Sequence, residues 1–160
     1  MSKILLPAND LFIPKGVCTL ILRDARTGKI KSVDRIENTF VTVGKNSIAA
    51  ALMGTTANNQ GIITYCAVGT SVLAPELTDT KLTTEIFRKL VSVRSVAANV
   101  ATFQTFFTTT EAIGTLREAG LFGDAATSAA DSGTLFSKLA INRVKSASDT
   151  LTMNWEITIG

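Results

Sequence analysis

The sharpest pattern in the chain lies near its C-terminus, where Leu151, Met153, Trp155, Ile157 and Ile159 alternate with Thr150, Thr152, Asn154, Glu156 and Thr158. A period of two marks a strand with one dry face and one wet face. A second apolar stretch, Leu135 to Val144, precedes it. The polar Lys145-Ser-Ala-Ser-Asp149 between them has the length and chemistry of a hairpin loop, so the pair predicts antiparallel neighbours. Ile86 to Val96 and Ala101 to Thr109 predict another hairpin, turning at Ala98-Asn99 because Asn tolerates left-handed backbone. Thr115 to Phe122 and Gly61 to Gly69 are further strands. Val17 to Arg23 pairs with Lys29 to Ile36 across a turn in which Gly28 supplies the left-handed residue. Thr39 to Val43 is a strand that Gly44 turns into a single helix, with Ser47 as its cap, Ile48 to Met53 as its body and Gly54 as its end.

These elements predict a mainly β fold: an antiparallel β-sandwich or barrel-like domain with one short helix and an extended N-terminal arm. Thr, at 23 of 160 residues, reinforces this, since β-branched side chains suit a pleated surface. No repeat of 20 to 50 residues is visible, which argues against a solenoid or propeller. The domain division is an arm at 1–16 and a single β domain at 17–160. Residues 54–60, 71–84 and 123–133 read as connections, and the last has no large apolar residue to anchor it and should project. In the arm, Pro7 and Pro14 hold the backbone extended while Ile4, Leu5, Leu6, Leu11, Phe12 and Ile13 offer apolar side chains with no partner of their own. These six are the candidate subunit contacts. They either cover their own domain or cross to a neighbouring copy.

Composition narrows the chemistry. With 46% hydrophobic and 18% charged residues the chain is not of the disordered class, and its length suits one domain. It contains no His, which removes the usual general base, the Ser-His and Cys-His pairs and the commonest metal ligand. Val43-Gly44-Lys45-Asn46-Ser47 fails as a phosphate loop, because Thr39 stands where the upstream Gly is required and Asn46 where Ser or Thr must meet the metal. Gly69-Thr70-Ser71 is a turn rather than a nucleophile elbow. Glu111 and Glu118, the only carboxylates close together in apolar surroundings, would face opposite sides of a strand and make no catalytic pair; Glu118 should meet Arg117, Arg88 or another cation. No catalytic residue, cofactor or metal is expected.

Net charge is only +3, with the basic excess in Arg23, Arg26, Lys29, Lys31 and Arg35. Asp24 and Asp34 interrupt that group and no aromatic platform accompanies it, so a nucleic-acid partner is not expected. Pro7 stops the first apolar run well short of a secretion signal, and no stretch reaches the ~18 apolar residues of a membrane span, so cytoplasmic synthesis without a membrane partner is expected. Cys18 and Cys66 each lie in an apolar stretch and read as buried free thiols.

One order of residues is more specific. Gly61-Ile-Ile-Thr-Tyr-Cys-Ala-Val-Gly-Thr70 is followed by Ala74-Pro75-Glu76-Leu77-Thr78-Asp79-Thr80-Lys81-Leu82 and by Glu85-Ile-Phe-Arg88. Then come Phe103 to Glu111, Gly114-Thr-Leu-Arg-Glu-Ala-Gly-Leu-Phe122, Gly133-Thr-Leu-Phe136 and Asp149 to Trp155, with Thr39 to Met53 upstream. Over residues 38 to 159 this order resembles small structural virion proteins of tailed bacteriophages, found at the tail, neck, fibre base, baseplate or head. The resemblance implies a non-enzymatic subunit, present in many copies on the tail, neck or collar, or baseplate, with other phage virion proteins as partners. It implies assembly into a virion in the bacterial host's cytoplasm. It also implies structural roles: turns or close approach for Gly69, Gly114, Gly120 and Gly133, a charge pair for Glu85 and Arg88, and a core position for Trp155. The competing expectations are a capsid-decorating subunit and a module that binds a host-surface glycan through the 123–133 loop.

Overall fold

The computed structural model describes residues 14–52 and 61–159. Its elements are β1 (Lys15–Asp24), β2 (Ile30–Phe40), α1 (Thr42–Leu52), β3 (Ile63–Gly69), β4 (Glu85–Leu90), β5 (Val93–Ala97), β6 (Val100–Phe107), β7 (Gly114–Gly123), β8 (Thr134–Lys145) and β9 (Asp149–Thr158). The nine strands form one antiparallel sheet in the order β4-β3-β7-β8-β2-β1-β9-β6-β5, curled into a half-barrel. The mainly β, barrel-like expectation therefore holds.

Alternation drives the curl. Cys18, Leu20 and Leu22 of β1, Phe107 of β6, Leu116 and Leu121 of β7, Leu139 of β8, and Leu151, Met153 and Trp155 of β9 all point into one continuous core. Each fully buried large side chain contributes about 1.5–3 kcal/mol. Strand β2 is the hinge between the halves of the sheet. It pairs with β1 from Ile30 to Asn38 but with β8 only through Thr39 and Phe40. The two outermost strands, β4 and β5, are consecutive in the chain. Between them Val91 N–H donates to Thr64 O (2.8 Å) in one half and Ser92 N–H to Gln104 O (2.7 Å) in the other. Phe87 and Phe107 meet edge to face across this seam, with centroids 6.1 Å apart.

The β1–β2 hairpin turns at Gly28 (φ +70°) and the β5–β6 hairpin at Ala98-Asn99, as the sequence suggests, although Ala98 rather than Asn99 carries the positive φ. Four expectations are corrected. First, β8 and β9 are not hydrogen-bonded neighbours: both edges of β9 are occupied, by β1 and by β6. Residues 146–148 form an arch across the core, closed by Ser146 N–H on Asp149 Oδ2 (2.9 Å) and Asp149 N–H on Ser146 O (3.1 Å). An alternating pattern fits an arch as well as a hairpin. Second, residues 86–96 are not one strand but β4 and β5, divided at Val91-Ser92 between the halves. Third, Lys15 and Gly16 belong to β1 and not to the arm.

Fourth, the helix begins at Thr42, and Ser47 lies buried inside it, its Oγ accepting Gly61 N–H at 3.0 Å. Thr42, Val43 and Gly44 are poor helix formers, which hides this turn in the sequence. Gly44 is there for contact: a Cβ at this position would stand 2.5 Å from Phe136 Cα. Helix propensity alone would make Gly44→Ala stabilising by ~1 kcal/mol. Backbone overlap outweighs that gain, so a thermal melt is expected to show a lowered Tm. Met53 and Gly54, and with them the expected helix end, lie outside the described residues.

A second, smaller core covers the outer face of the β3–β7–β8 half. Val41, Ala67, Leu82, Phe122 and Leu135 are buried there. Leu82 comes from the long 70–84 connection, which is therefore packed onto the sheet.

Candidate functional site

The polar side chains of this molecule concentrate where the connections meet β7 and β8. Glu118 on β7 is fully buried, and its carboxylate accepts Thr83 N–H (2.9 Å) and Thr84 N–H (2.7 Å). Lys138 on the neighbouring strand, 1% exposed, places its Nζ 3.3 Å from Glu118 Oε2 and 3.1 Å from Asp79 Oδ2, and donates to Thr83 Oγ1 at 3.2 Å. Gly69 permits this: a Cβ there would overlap Thr84 O and the Glu118 carboxylate. The lattice fastens the 76–84 segment to the sheet.

A second cluster adjoins it. Arg88 and Glu85, with side chains 2% and 3% exposed, form a forked pair: Nε to Oε1 at 2.5 Å and Nη2 to Oε2 at 2.7 Å. The remaining Nη1 reaches Thr127 O (3.2 Å), Ser132 O (3.0 Å) and Ser132 Oγ (2.9 Å), and the guanidinium lies 4.5 Å over the Phe122 ring. The fork is what a lysine could not supply. The 123–133 loop, expected to project freely, is thus tied down by a buried cation from another strand, which sequence composition has no means of displaying.

The expected roles of single residues can now be placed. Glu85 and Arg88 pair, and Trp155 is fully buried. Gly114 and Gly133 have φ of +134° and +77°. Glu111 and Glu118 are not brought together, since Glu111 binds Lys89 Nζ at 2.6 Å and Thr108 N–H at 2.8 Å. Cys18 and Cys66 are free and buried, and burial pushes the Cys66 thiol up to about 12. Ile4, Leu5, Leu6, Leu11, Phe12 and Ile13 lie outside the described residues. Lys138 and Ser132 escaped sequence reasoning, and Asp79 entered it only as a member of the 74–82 block; the one trace of Lys138 was a lysine inside the apolar run 135–141.

Two members of the basic group, Lys31 and Arg35, have acidic partners, and Asp34 beside them has a basic one. Lys31 pairs with Asp149 (2.6 Å), Arg35 with Glu156 (3.7 Å) and Asp34 with Arg143. Burial alone would raise the Asp149 carboxyl, but hydrogen bonds from Lys31 and Ser146 outweigh it and hold the group at about 2, below its ordinary 3.8. A carboxyl lowered on folding stabilises the native state fully above 3.8, and that contribution fades as the pH falls through about 2. Asp149→Asn is therefore expected to lower stability at pH 7 and to flatten its dependence on pH between about 4 and 2, measured by urea unfolding across that range.

Beside β2 the sheet opens. Past Thr39 and Phe40 the strands β2 and β8 part, leaving a cleft of about 570 Å³ lined by Val33, Asp34, Arg35, Ile36, Ala140, Ile141 and Asn142. Among the described residues no helix is long and apolar enough to cross a membrane, and no group of three or more acidic or Cys side chains could hold a metal ion. No protein family, no curated protein and no solved structure matches this chain.

Proposed function

We propose that the chain is a non-enzymatic structural subunit of a tailed-bacteriophage virion, present in many copies on the tail, neck or collar, or baseplate. What supports this is where the residues of the phage-like blocks fall. Gly69, Asp79, Leu82, Glu85, Arg88, Glu118 and Gly120 come from three blocks of the sequence, yet they gather in two adjoining, largely buried clusters around β7 and the 79–88 segment. Their shared work is to fix two long connections to a sheet. That suits a family whose recurring residues carry architecture and no reaction.

A structural subunit needs surfaces for its neighbours, and strand edges and exposed apolar positions supply them. Val93 and Val96 of β5 are 51% and 76% exposed, and Val33 and Val144 flank the open cleft at 54% and 64%. Light scattering on the purified full chain tests the proposal. A salt-resistant integral multiple of 17.0 kDa is expected. A monomer at every salt concentration that also binds host-envelope sugars would replace it with the glycan-binding module.

A further inference from the structure

The cleft between β2 and β8 has the geometry of a missing strand. Both walls are strand edges: β2 from Ile30 to Asn38 is hydrogen-bonded on its β1 side, and β8 from Leu139 to Lys145 on its β7 side. Their facing edges pair only at Thr39–Lys138 and Phe40–Ser137. Elsewhere in the sheet every adjacent pair is matched through five residues or more, bulges included. Ile36 and Ile141 floor the gap, and the Asp34–Arg143 ion pair spans it. Two polar atoms on these walls, Ser32 Oγ and Arg143 Nε, are buried without a hydrogen-bond partner among the described residues.

We propose that this cleft accepts the N-terminal arm of a second copy of the chain as an added strand; the inference rests on the multi-copy reading above. The arm has the required chemistry. Its runs Ile4-Leu5-Leu6 and Leu11-Phe12-Ile13 suit an apolar floor, and its 13 residues ahead of Pro14 span about 45 Å when extended, longer than the nine residues of the β2 wall. Because β2 and β8 are antiparallel to each other, the inserted strand runs parallel to one wall and antiparallel to the other.

Connectivity selects another copy's arm over the chain's own. Pro14 leads directly into β1, which lies on the far side of β2 from the cleft, and it shares a groove with Thr39 and Phe40 at the closed end. A chain leaving its own cleft there would have to traverse two strand spacings, about 10 Å, and cross over the β2–β8 junction. Sheet connections avoid such crossings. A neighbour's arm enters with no such constraint. Reciprocal exchange of arms closes a two-fold dimer, whereas one-way insertion closes a larger ring or propagates along an axis.

Cysteine cross-linking of full-length chains tests this, since Cys18 and Cys66 are fully buried and do not compete. Copies carrying Leu5→Cys are mixed under mild oxidation with copies carrying Val33→Cys, or with copies carrying the more accessible Val96→Cys on β5. A disulfide-linked dimer forming about tenfold or more faster with Val33→Cys is expected, because docking raises the effective concentration. Equal rates for the two acceptors, in a chain that light scattering shows to be multimeric, would overturn the cleft as acceptor and leave the multi-copy reading intact. A Leu5→Cys, Val33→Cys double variant that cross-links only within one chain would overturn exchange between copies. A parent chain that stays at 17.0 kDa without any cross-link overturns both.

Discussion

Glu118→Leu is expected to destabilise the domain by about 3–5 kcal/mol, the cost of removing one member of a buried ion pair. The substitution leaves the buried Lys138 ammonium with only Asp79 as counter-ion and strips two backbone donors, Thr83 N–H and Thr84 N–H, of their acceptor. For a chain of this size the loss corresponds to a fall in Tm on the order of 10 °C. Glu118→Gln preserves the shape and one acceptor oxygen, but its amide must point a donor at a donor, so it should recover only part of the loss. The informative comparison is the pair Glu118→Leu with Lys138→Met. Removing both charges should cost clearly less than the sum of the single changes, by 1 kcal/mol or more in denaturant titrations. Additive losses would mean that the two side chains do not act on each other.

Arg88→Ala should have a comparable effect on stability and a second effect that is local. Glu85, whose side chain is 3% exposed beside Arg88, would be left without its cation, which costs about 3–5 kcal/mol. The 123–133 loop would lose the Nη1 contacts to Thr127 and Ser132 that hold it. Limited proteolysis reads this directly. Cleavage within residues 125–132 should become many-fold faster in Arg88→Ala under conditions where the rest of the domain is still folded. Arg88→Lys keeps the charge but not the fork, so it should protect Glu85 better than it protects the loop. If the loop of Arg88→Ala resisted cleavage as the parent does, the loop's own Thr127–Ser132 hydrogen bonds would be sufficient to order it.

These two clusters mark the boundary of what could be read from the chain. Strand existence was legible, because alternation such as Leu151 to Ile159 is imposed locally by which face meets the core. Partnership was not. Lys145 to Asp149 has the composition of a hairpin loop whether it joins neighbours or spans the core, and only the competition of β1 and β6 for the edges of β9 decides between them. The division at Val91-Ser92 was hidden for the same reason: no Gly or Pro marks it, and its cause is the closure of the curled sheet. The charge pair Glu85–Arg88 was expected from the phage resemblance, whereas the Glu118–Lys138–Asp79 set joins residues far apart in sequence. Exposed and buried carboxylates look alike in a sequence. Helix α1 began early because tertiary contact with Phe136 overrode the low propensity of Thr42, Val43 and Gly44.

The placement of β1 has a bearing on how the molecule is made. This strand is held on one side by its hairpin partner β2 and on the other by β9, which is synthesised more than a hundred residues later. A ribosome adding about 5–20 residues per second therefore holds the β1–β2 hairpin for several seconds with one apolar-faced edge unmatched. Closing so long a loop also makes folding intrinsically slow. During that interval a hairpin on one nascent chain can pair with the same hairpin on another. Synthesis from closely spaced ribosomes should thus favour aggregation, and slowing initiation should raise the yield of soluble protein.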